Sequence, residues 1–286
     1  MTEGRRNFRS LLDARWDRDL FVSVGLDPDW ERLPESVRAT AGPDPSDEAR
    51  AIAVVRFCKA IVDSTADLAC AFKPNAAFFE RFGAPGIAAL GAVMRHIRAV
   101  APEVPSIYDA KRGDIGSTNR GYVVDAFDGL GADSVTVHPY LGRDSLAPFL
   151  ERPDRGIIVL VRTSNPGGGE FQDLQVDGEP LYRVVARRVA EQWNVNGNCA
   201  VVVGATYPED LAAVRGIVGD MPILIPGIGA QGGDLRRTVE AGRDAEGRGM
   251  IINSSRGILY AGAGEDFAEA ARAEAMRLNR EIQSYR

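Results

Sequence analysis

Eight short apolar runs, each about the length of one buried strand, recur along the chain of 286 residues. Segments with apolar residues at helical spacing lie between them, and this alternation predicts right-handed βαβ units that share a parallel sheet. The runs are continuously apolar, which is typical of strands covered on both faces. They occupy residues 20–27, 70–75, 105–111, 133–139, 156–164, 199–206, 221–229 and 249–256.

Eight such repeats predict a (β/α)8 TIM barrel of the α/β class, a fold that typically needs about 250 residues. A doubly wound open sheet is the alternative. We expect a single barrel domain over residues 1–286, with the extra length in two long loops near 30–48 and the glycine-rich 165–180. The predicted helices cover residues 48–65, 86–100, 181–193, 234–242 and 266–284.

Composition excludes several classes of protein. The net charge of -6 and the pI of about 5.2 argue against a surface for nucleic acid or anionic membrane. The three cysteines are widely spaced and form no CxxC pair, so they indicate reduced thiols, and two histidines argue against a His-rich metal site. The charged N-terminal segment has no secretory signal, and no apolar run approaches the roughly 18–20 residues that cross a bilayer. We expect a cytoplasmic protein.

Polar residues stand at the ends of the predicted strands, where the active site of a parallel barrel lies. For any single residue, contact of the strand end with water explains the polarity. The combination of Lys73, Asp109 and Lys111 is harder to explain in this way. Polar residues at or just beyond the strand ends are Asp27, Lys73, Asn75, Asp109, Lys111, Asp114, His138, Thr163, Ser164 and Arg256.

Asp109 and Lys111 are two residues apart on one predicted strand, so they should point to the same side, with Ala110 opposite. If that side is the barrel lumen, Lys73 on the neighbouring strand flanks Asp109 from the other direction. A carboxylate between two ammonium groups stays ionised, and both lysines stay protonated. Such an array is costly to assemble, which favours a catalytic role; an ion-pair network with a purely structural role is the alternative.

A separate signal indicates phosphate binding. The stretch "PGIGAQGG" (226–233), followed by "DLRRTV", predicts a strand, a glycine-rich turn and a helix, whose backbone N–H groups bind anions. Gly229 and Gln231 in the turn, with Arg256 after the eighth strand, are candidate substrate-binding residues. A turn whose glycines only permit positive φ is the alternative. The stretch also matches the dinucleotide pattern G-x-G-x-x-G, but no carboxylate ends the next strand, so we reject NAD binding.

The stretch "DAKRGDIGST" (109–118) resembles the D-x-K-x-x-D signature of the orotidine 5'-phosphate decarboxylase family. The stretches "FVSVGLD", "FKPN", "PGIGAQGGD" and "NSSRGILYA" resemble other blocks of that family in the same order, and together they span most of the chain. The length and "KPNAAFFE" (73–80) are similar to a longer bacterial subgroup. Gly116 is a departure, because many members have proline there; it affects the loop after Asp114 and not the charges.

The resemblance implies an enzyme, a carboxy-lyase that converts orotidine 5'-monophosphate to uridine 5'-monophosphate (UMP) and CO2 in de novo pyrimidine biosynthesis. It implies no cofactor and no metal, because a charged array of Lys73, Asp109, Lys111 and Asp114 acts instead, with Lys111 as the proton donor. It also implies a homodimer in which Asp114 and Thr118 of one subunit reach into the partner's site.

The resemblance further implies the contacts with the substrate. Asp27 and Lys73 hold ribose hydroxyls, and Ser164 hydrogen-bonds the pyrimidine. Gln231 and Arg256 hold the phosphate.

Two rival functions stay open at this point. Sugar-phosphate decarboxylases and hexulose-phosphate synthases share D-x-K-x-x-D on a similar barrel but use Mg²⁺ held by carboxylates, and they lack the Lys73 block and the Gln-bearing loop in this form. The other rival is a barrel that binds a phosphate ligand without turnover, although such a protein has no need of the buried charges. Asn75, His138 and Tyr140 lie near the expected mouth without an assigned role.

Overall fold

The computed structural model describes residues 6–228 and 233–286. Its barrel strands are β1 (Val22–Leu26), β2 (Ala71–Pro74), β3 (Ile107–Arg112), β4 (Ser134–Val137), β5 (Gly156–Arg162), β6 (Cys199–Val203), β7 (Ile223–Pro226) and β8 (Met250–Ser254). They form one parallel sheet in the order β2-β1-β8-β7-β6-β5-β4-β3, and single bridges from Phe72 to Ser106 and from Asn75 to Asp109 join β2 to β3. The sheet closes on itself, which confirms the predicted (β/α)8 barrel and excludes the open doubly wound sheet.

The strands differ in how much of their length is buried. Every residue of β1, β2, β4, β6 and β8 is buried, as expected for strands with the lumen on one side and helices on the other. In β3 the first half is buried, but Ala110, Lys111 and Arg112 are partly or largely exposed. The charged end of β3 is therefore more exposed than the ends of these five strands.

Helices surround the barrel. Four of the predicted helices are confirmed with ends that differ by at most three residues, and the fifth is an α-helix at Leu181–Arg188 that continues as a π-helix at Val189–Trp193. The α-helices of the described residues are Phe8–Trp16, Glu35–Arg38, Asp47–Thr65, Ala76–Glu80, Gly83–Val100, Gly116–Val123, Arg143–Leu150, Gly169–Gln172, Leu181–Arg188, Pro208–Val218, Leu235–Gly242, Arg256–Leu259 and Phe267–Tyr285.

The two segments predicted as long loops contain short regular elements. In 30–48, the helix Glu35–Arg38 lies between two 3₁₀ turns. In 165–180, the helix Gly169–Gln172 precedes a short antiparallel hairpin. Both segments therefore have their own backbone hydrogen bonds. Backbone N–H and C=O groups need such partners wherever they are buried away from water.

The three cysteines, Cys58, Cys70 and Cys199, are buried free thiols. Burial raises the pKa of Cys199 to about 12, so this thiol stays protonated and packs as a small apolar group. Among residues 6–228 and 233–286, no helix combines the length and the apolar character needed to span a membrane.

Candidate active site

A cavity of about 480 Å³ opens at the carboxyl ends of the barrel strands. Its volume lies within the usual range of small-ligand sites. Its lining includes six of the residues predicted from the sequence: Asp27, Lys73, Asp109, Lys111, Ser164 and Arg256. The charged side chains therefore meet at the end of the barrel where (β/α)8 enzymes carry out their chemistry.

Asp109 lies at the centre of the charged cluster. Its Oδ2 is 2.7 Å from Nζ of Lys73, and its Oδ1 is 2.7 Å from Nζ of Lys111. Only 8% of Asp109 is exposed, and this burial favours the protonated acid. The two ammonium groups outweigh the burial and hold the pKa of Asp109 below its usual value. The carboxylate is therefore ionised at neutral pH.

Lys73 is buried on β2 and faces two carboxylates. Besides Asp109, the Oδ1 of Asp27 lies 3.9 Å from its Nζ. Burial alone would lower the pKa of Lys73, but Asp109 and Asp27 more than offset this and raise it. Among the described residues, Oδ1 of Asp27 is buried without a hydrogen-bond donor in reach, so it is an acceptor on the cavity wall.

The end of β3 does not follow the regular alternation of a strand. Tyr108 and Arg112 pair with residues of β4 that are only two apart, so three residues of β3 face one residue of β4. Lys111 has a φ of 48°, a left-handed conformation that is uncommon outside glycine. The expected contact between Asp109 and Lys111 is present, but a bulge and not the two-residue period of a strand turns the lysine towards the carboxylate.

The segment 165–180 meets the described cavity at its first residue, Asn165. Gln172 accepts a hydrogen bond from the backbone N–H of Thr163 at 3.0 Å and donates one to Oγ1 of Thr163 at 2.9 Å. Oδ1 of Asp173 lies 2.8 Å from Nη1 of Arg162, a buried guanidinium at the end of β5. These contacts fasten the segment to the end of β5 beside the cavity.

One rim of the cavity follows β8 and carries Ser255 and Arg256. Gly25 on β1 leaves room for the side chain of Ser255, because a Cβ atom at position 25 would overlap the hydroxyl of Ser255. Gly229 and Gln231, the other candidate phosphate ligands, lie outside the described residues.

Asp114 and Thr118 were expected to act across a dimer interface. Neither residue lines the cavity of its own chain, as far as the described residues define that cavity. Asp114 follows β3, and Thr118 is exposed on the helix Gly116–Val123. The imidazole Nε2 of His138 lies 3.0 Å from the carbonyl oxygen of Gly113 and donates to it, which holds the loop just before Asp114.

Sequence reasoning missed four polar residues of the described cavity wall. Asn165 and Ser255 lie on its rims, and the other two are Thr136 on β4 and Asn253 on β8. Both are almost fully buried and stand inside apolar runs, so they were not distinguished from structural strand residues. In the stretch "SVTVH" (134–138), polar residues alternate with valines, and this two-residue period was the available signal that Thr136 faces the lumen.

Asn75, which had no expected role, lines the cavity and caps the helix Ala76–Glu80 by accepting a hydrogen bond from the N–H of Ala77 at 3.3 Å. Tyr140 lies in the loop after β4 and is 88% exposed.

The cavity presents fixed charges, those of Lys73, Asp109 and Lys111, to a bound molecule. Lys111 has a side chain that is 52% exposed and borders the cavity, so its ammonium can reach a bound molecule. Within the part of the chain that the structure describes, no group of three His, Cys, Asp or Glu side chains is placed to hold a metal ion. The fold and the site together define a (β/α)8-barrel protein of the enzyme type, with ammonium and carboxylate groups in a cavity at the carboxyl ends of its strands.

Comparisons with known proteins agree with this class. The family model described as orotidine 5'-phosphate decarboxylase / HUMPS family matches residues 22–273. An orotidine 5'-phosphate decarboxylase from Azoarcus sp. (strain BH72) is 54% identical over 281 residues, which cover 98% of this chain and 100% of that protein.

Solved structures similar to this chain also carry orotidine 5'-monophosphate (OMP) decarboxylase or UMP synthase names. The OMP decarboxylase of Leishmania donovani has a TM-score of 0.83 and 41% identity, with 98% of each chain covered. The UMP synthase of Leishmania donovani has a TM-score of 0.86 and 42% identity over 98% of this chain, which spans 56% of that longer chain.

The chain belongs to the orotidine 5'-phosphate decarboxylase / HUMPS family. This confirms the resemblance drawn from the motif blocks and the prediction that the chain is an enzyme. Because the name of the family model joins two groups, the choice between them depends on the relatives, and relatives at 54% and at 50% identity carry the decarboxylase name.

Proposed function

We propose that the protein decarboxylates orotidine 5'-monophosphate to UMP and CO2 in pyrimidine biosynthesis, without a metal or an organic cofactor. The observation that carries the proposal is the buried carboxylate of Asp109 with an ammonium group 2.7 Å from each of its oxygens. A site that only binds phosphate has no use for such an array, which is costly to assemble. The family relationship supports the same reaction.

The reaction breaks the bond between C6 of the pyrimidine and the carboxylate carbon. CO2 leaves and the electron pair stays on C6, where no adjacent group delocalises it, so a fixed positive charge must stabilise the carbanion. Nζ of Lys111 provides that charge and then delivers a proton to C6. The neutral amine regains its proton from solvent.

Asp109 and Lys73 prepare this step. The ionised Asp109 lies beside the substrate carboxylate and disfavours the bound acid relative to the carbanion. Lys73 orients Asp109 through the contact at 2.7 Å. Both side chains are buried on strands, so the barrel itself keeps them in place.

The remaining residues hold the substrate. Asp27, whose Oδ1 accepts no hydrogen bond from the described residues, and Lys73 bind ribose hydroxyls, and Ser164 binds the pyrimidine. The phosphate lies far from the reacting bond, so its binding energy serves to align the base. The proposed phosphate ligands are Gly229, Gln231 and Arg256.

One assay tests the proposed function. The purified protein is incubated with orotidine 5'-monophosphate, with and without EDTA, and the change in ultraviolet absorbance is followed as UMP forms. We expect equal rates in the two reactions. A barrel enzyme that depends on Mg²⁺ would lose its activity in EDTA, and a rise in Tm with ligand but without product would identify a protein that only binds.

Arg256→Ala is expected to raise KM for orotidine 5'-monophosphate by about 10- to 100-fold, because a hydrogen bond to a charged group contributes roughly 1.5–3 kcal/mol. Steady-state kinetics measure the change. Arg280→Ala, at an exposed arginine of the C-terminal helix, is the matched control and should leave KM unchanged. An unaltered KM in the Arg256 variant would contradict the phosphate assignment.

We also propose that the active form is a homodimer in which Asp114 and Thr118 complete the partner's site. Neither residue lines the described cavity of its own chain. Loops beside them expose apolar side chains, with Ile115 58% and Tyr140 88% exposed, and these loops lead into two adjoining helices. Exposed apolar side chains favour an interface where they form a contiguous patch, so these loops are the surface on which we place the partner subunit.

Mixing two inactive variants tests the shared site. If Lys111→Ala and Asp114→Ala subunits exchange freely, half of the dimers become mixed, and each mixed dimer has one site with both residues intact. About a quarter of the wild-type activity should return. As a control, Lys111→Ala mixed with Asp109→Ala should regain nothing, because both defects lie on the same side of the site. No recovery in the first mixture would show that each site uses one subunit only.

A further inference from the structure

Thr136 is the single residue of β4 that faces the bulge of β3. The residues before and after it pair with Tyr108 and Arg112, so Thr136 alone lies opposite residues 109–111. It is 1% exposed and lines the cavity. A bulge beside an active site re-aims a side chain, and the bulged backbone then needs a partner to hold it.

The hydroxyl of Thr136 connects two parts of the charged cluster. Its Oγ1 accepts a hydrogen bond from the backbone N–H of Lys111 at 2.9 Å and lies 3.0 Å from Oδ1 of Asp109. An ionised carboxylate only accepts, so the hydroxyl proton is donated to Asp109. One side chain thereby fixes the left-handed backbone of Lys111 and the carboxylate that the Lys111 ammonium contacts.

We propose that Thr136 is a positioning residue for the delivery of the proton. It holds the backbone of Lys111 and the Oδ1 of Asp109 in one arrangement, so that Nζ of Lys111 has a single location in the cavity. This inference rests on the proposed function, in which Lys111 gives its proton to C6.

Loss of the hydroxyl would leave the charged groups in the cavity, but the backbone of Lys111 and the carboxylate of Asp109 would no longer be held in one arrangement. Asp109 would keep its contacts with the two ammonium groups. Its Oδ1 would lose one donor, however, and the N–H of Lys111 would lose its acceptor. Misplacement of a reacting group slows the chemical step more than it weakens binding of the remote parts of the substrate, so the effect should fall on kcat.

Two substitutions separate the hydroxyl from the rest of the side chain. Thr136→Val keeps the shape, and we expect it to lower kcat by about 10- to 100-fold while KM and the Kd of UMP stay within about threefold of wild type. Thr136→Ser keeps the hydroxyl and should restore kcat to within about threefold. Thr65→Val, at a buried threonine that donates to the carbonyl of Ile61, is the matched control and should leave kcat unchanged.

Rates are expressed per UMP-binding site, counted by calorimetric titration, so that misfolded protein does not enter the comparison. An unchanged kcat in Thr136→Val would overturn the role of Thr136. A serine variant as slow as the valine variant would overturn it too, because packing would then be responsible. Lys111→Ala is assayed in parallel: turnover retained there would overturn the proposed function itself, whereas its loss beside a normal Thr136→Val would overturn only the present inference.

Discussion

Lys111→Ala is expected to lower kcat for orotidine 5'-monophosphate by at least about 10⁴-fold while the variant still binds UMP. Proton transfer by a positioned acid contributes about 10²–10⁴-fold, and a preorganised charge beside a developing anion about 10²–10³-fold. In the proposed mechanism one ammonium group, that of Lys111, supplies both. Because Lys111 is half exposed and Asp109 keeps its contact with Lys73, the variant should fold. Single-turnover kinetics and UMP titration measure the two quantities.

A second substitution at the same position separates charge from proton delivery. In Lys111→Arg the guanidinium keeps the positive charge but does not release a proton near neutral pH, so we expect kcat to stay at least about 10²-fold below wild type. Lys59→Ala, at a lysine of the helix Asp47–Thr65, is the control and should have wild-type kcat. Wild-type turnover in Lys111→Ala would end the case for this residue as the proton donor.

Asp109→Asn is expected to lower the free energy of unfolding by about 3 kcal/mol and kcat by about 10²–10³-fold. The substitution keeps the size of the side chain but leaves the ammonium of Lys73, which is 3% exposed, with Asp27 at 3.9 Å as its remaining carboxylate among the described residues. Urea unfolding measures the loss. Asp128→Asn breaks an exposed pair with Arg152 and should change stability by less than about 1 kcal/mol.

The stability difference between wild type and Asp109→Asn should depend on pH. The pKa of Asp109 in the folded protein is lower than the roughly 3.9 of an unfolded aspartate, because the ammonium groups outweigh its burial. As the pH falls, the unfolded chain therefore binds a proton first. The stabilisation by the carboxylate is complete above about pH 5 and shrinks below about pH 4. A difference that is undiminished at about pH 3 would contradict this account.

The barrel strands could be located from sequence because a strand buried on both faces leaves an uninterrupted apolar run. Helices were harder to locate. Gly116–Val123 contains two glycines and no apolar stripe, and Arg143–Leu150 contains Pro148, so local preference disfavours both. Packing against neighbouring elements supplies their stability. The helices Phe8–Trp16 and Pro208–Val218 were also missed.

The convergence of Lys73, Asp109 and Lys111 could be predicted because a parallel barrel brings the carboxyl ends of its strands together. The bulge at Lys111 could not, since it depends on the register between β3 and β4 and on the hydroxyl of Thr136. One compositional clue was overlooked. Of 34 Lys and Arg residues only three are lysine, and two of these flank Asp109. In a chain that otherwise uses arginine, lysine thus stands on both sides of Asp109, and one of these two, Lys111, is the proton donor of the proposed mechanism.

The junction between β2 and β3 is the least continuous part of the barrel wall. Within the described residues it consists of single bridges, whereas each other pair of neighbouring strands shares at least two consecutive pairs. The ion pair of Lys73 with Asp109 crosses this junction. One contact therefore both orients the carboxylate and connects β2 to β3. A substitution at either charge therefore changes the stability of the barrel wall together with the chemistry of the site, so the two properties cannot be altered independently.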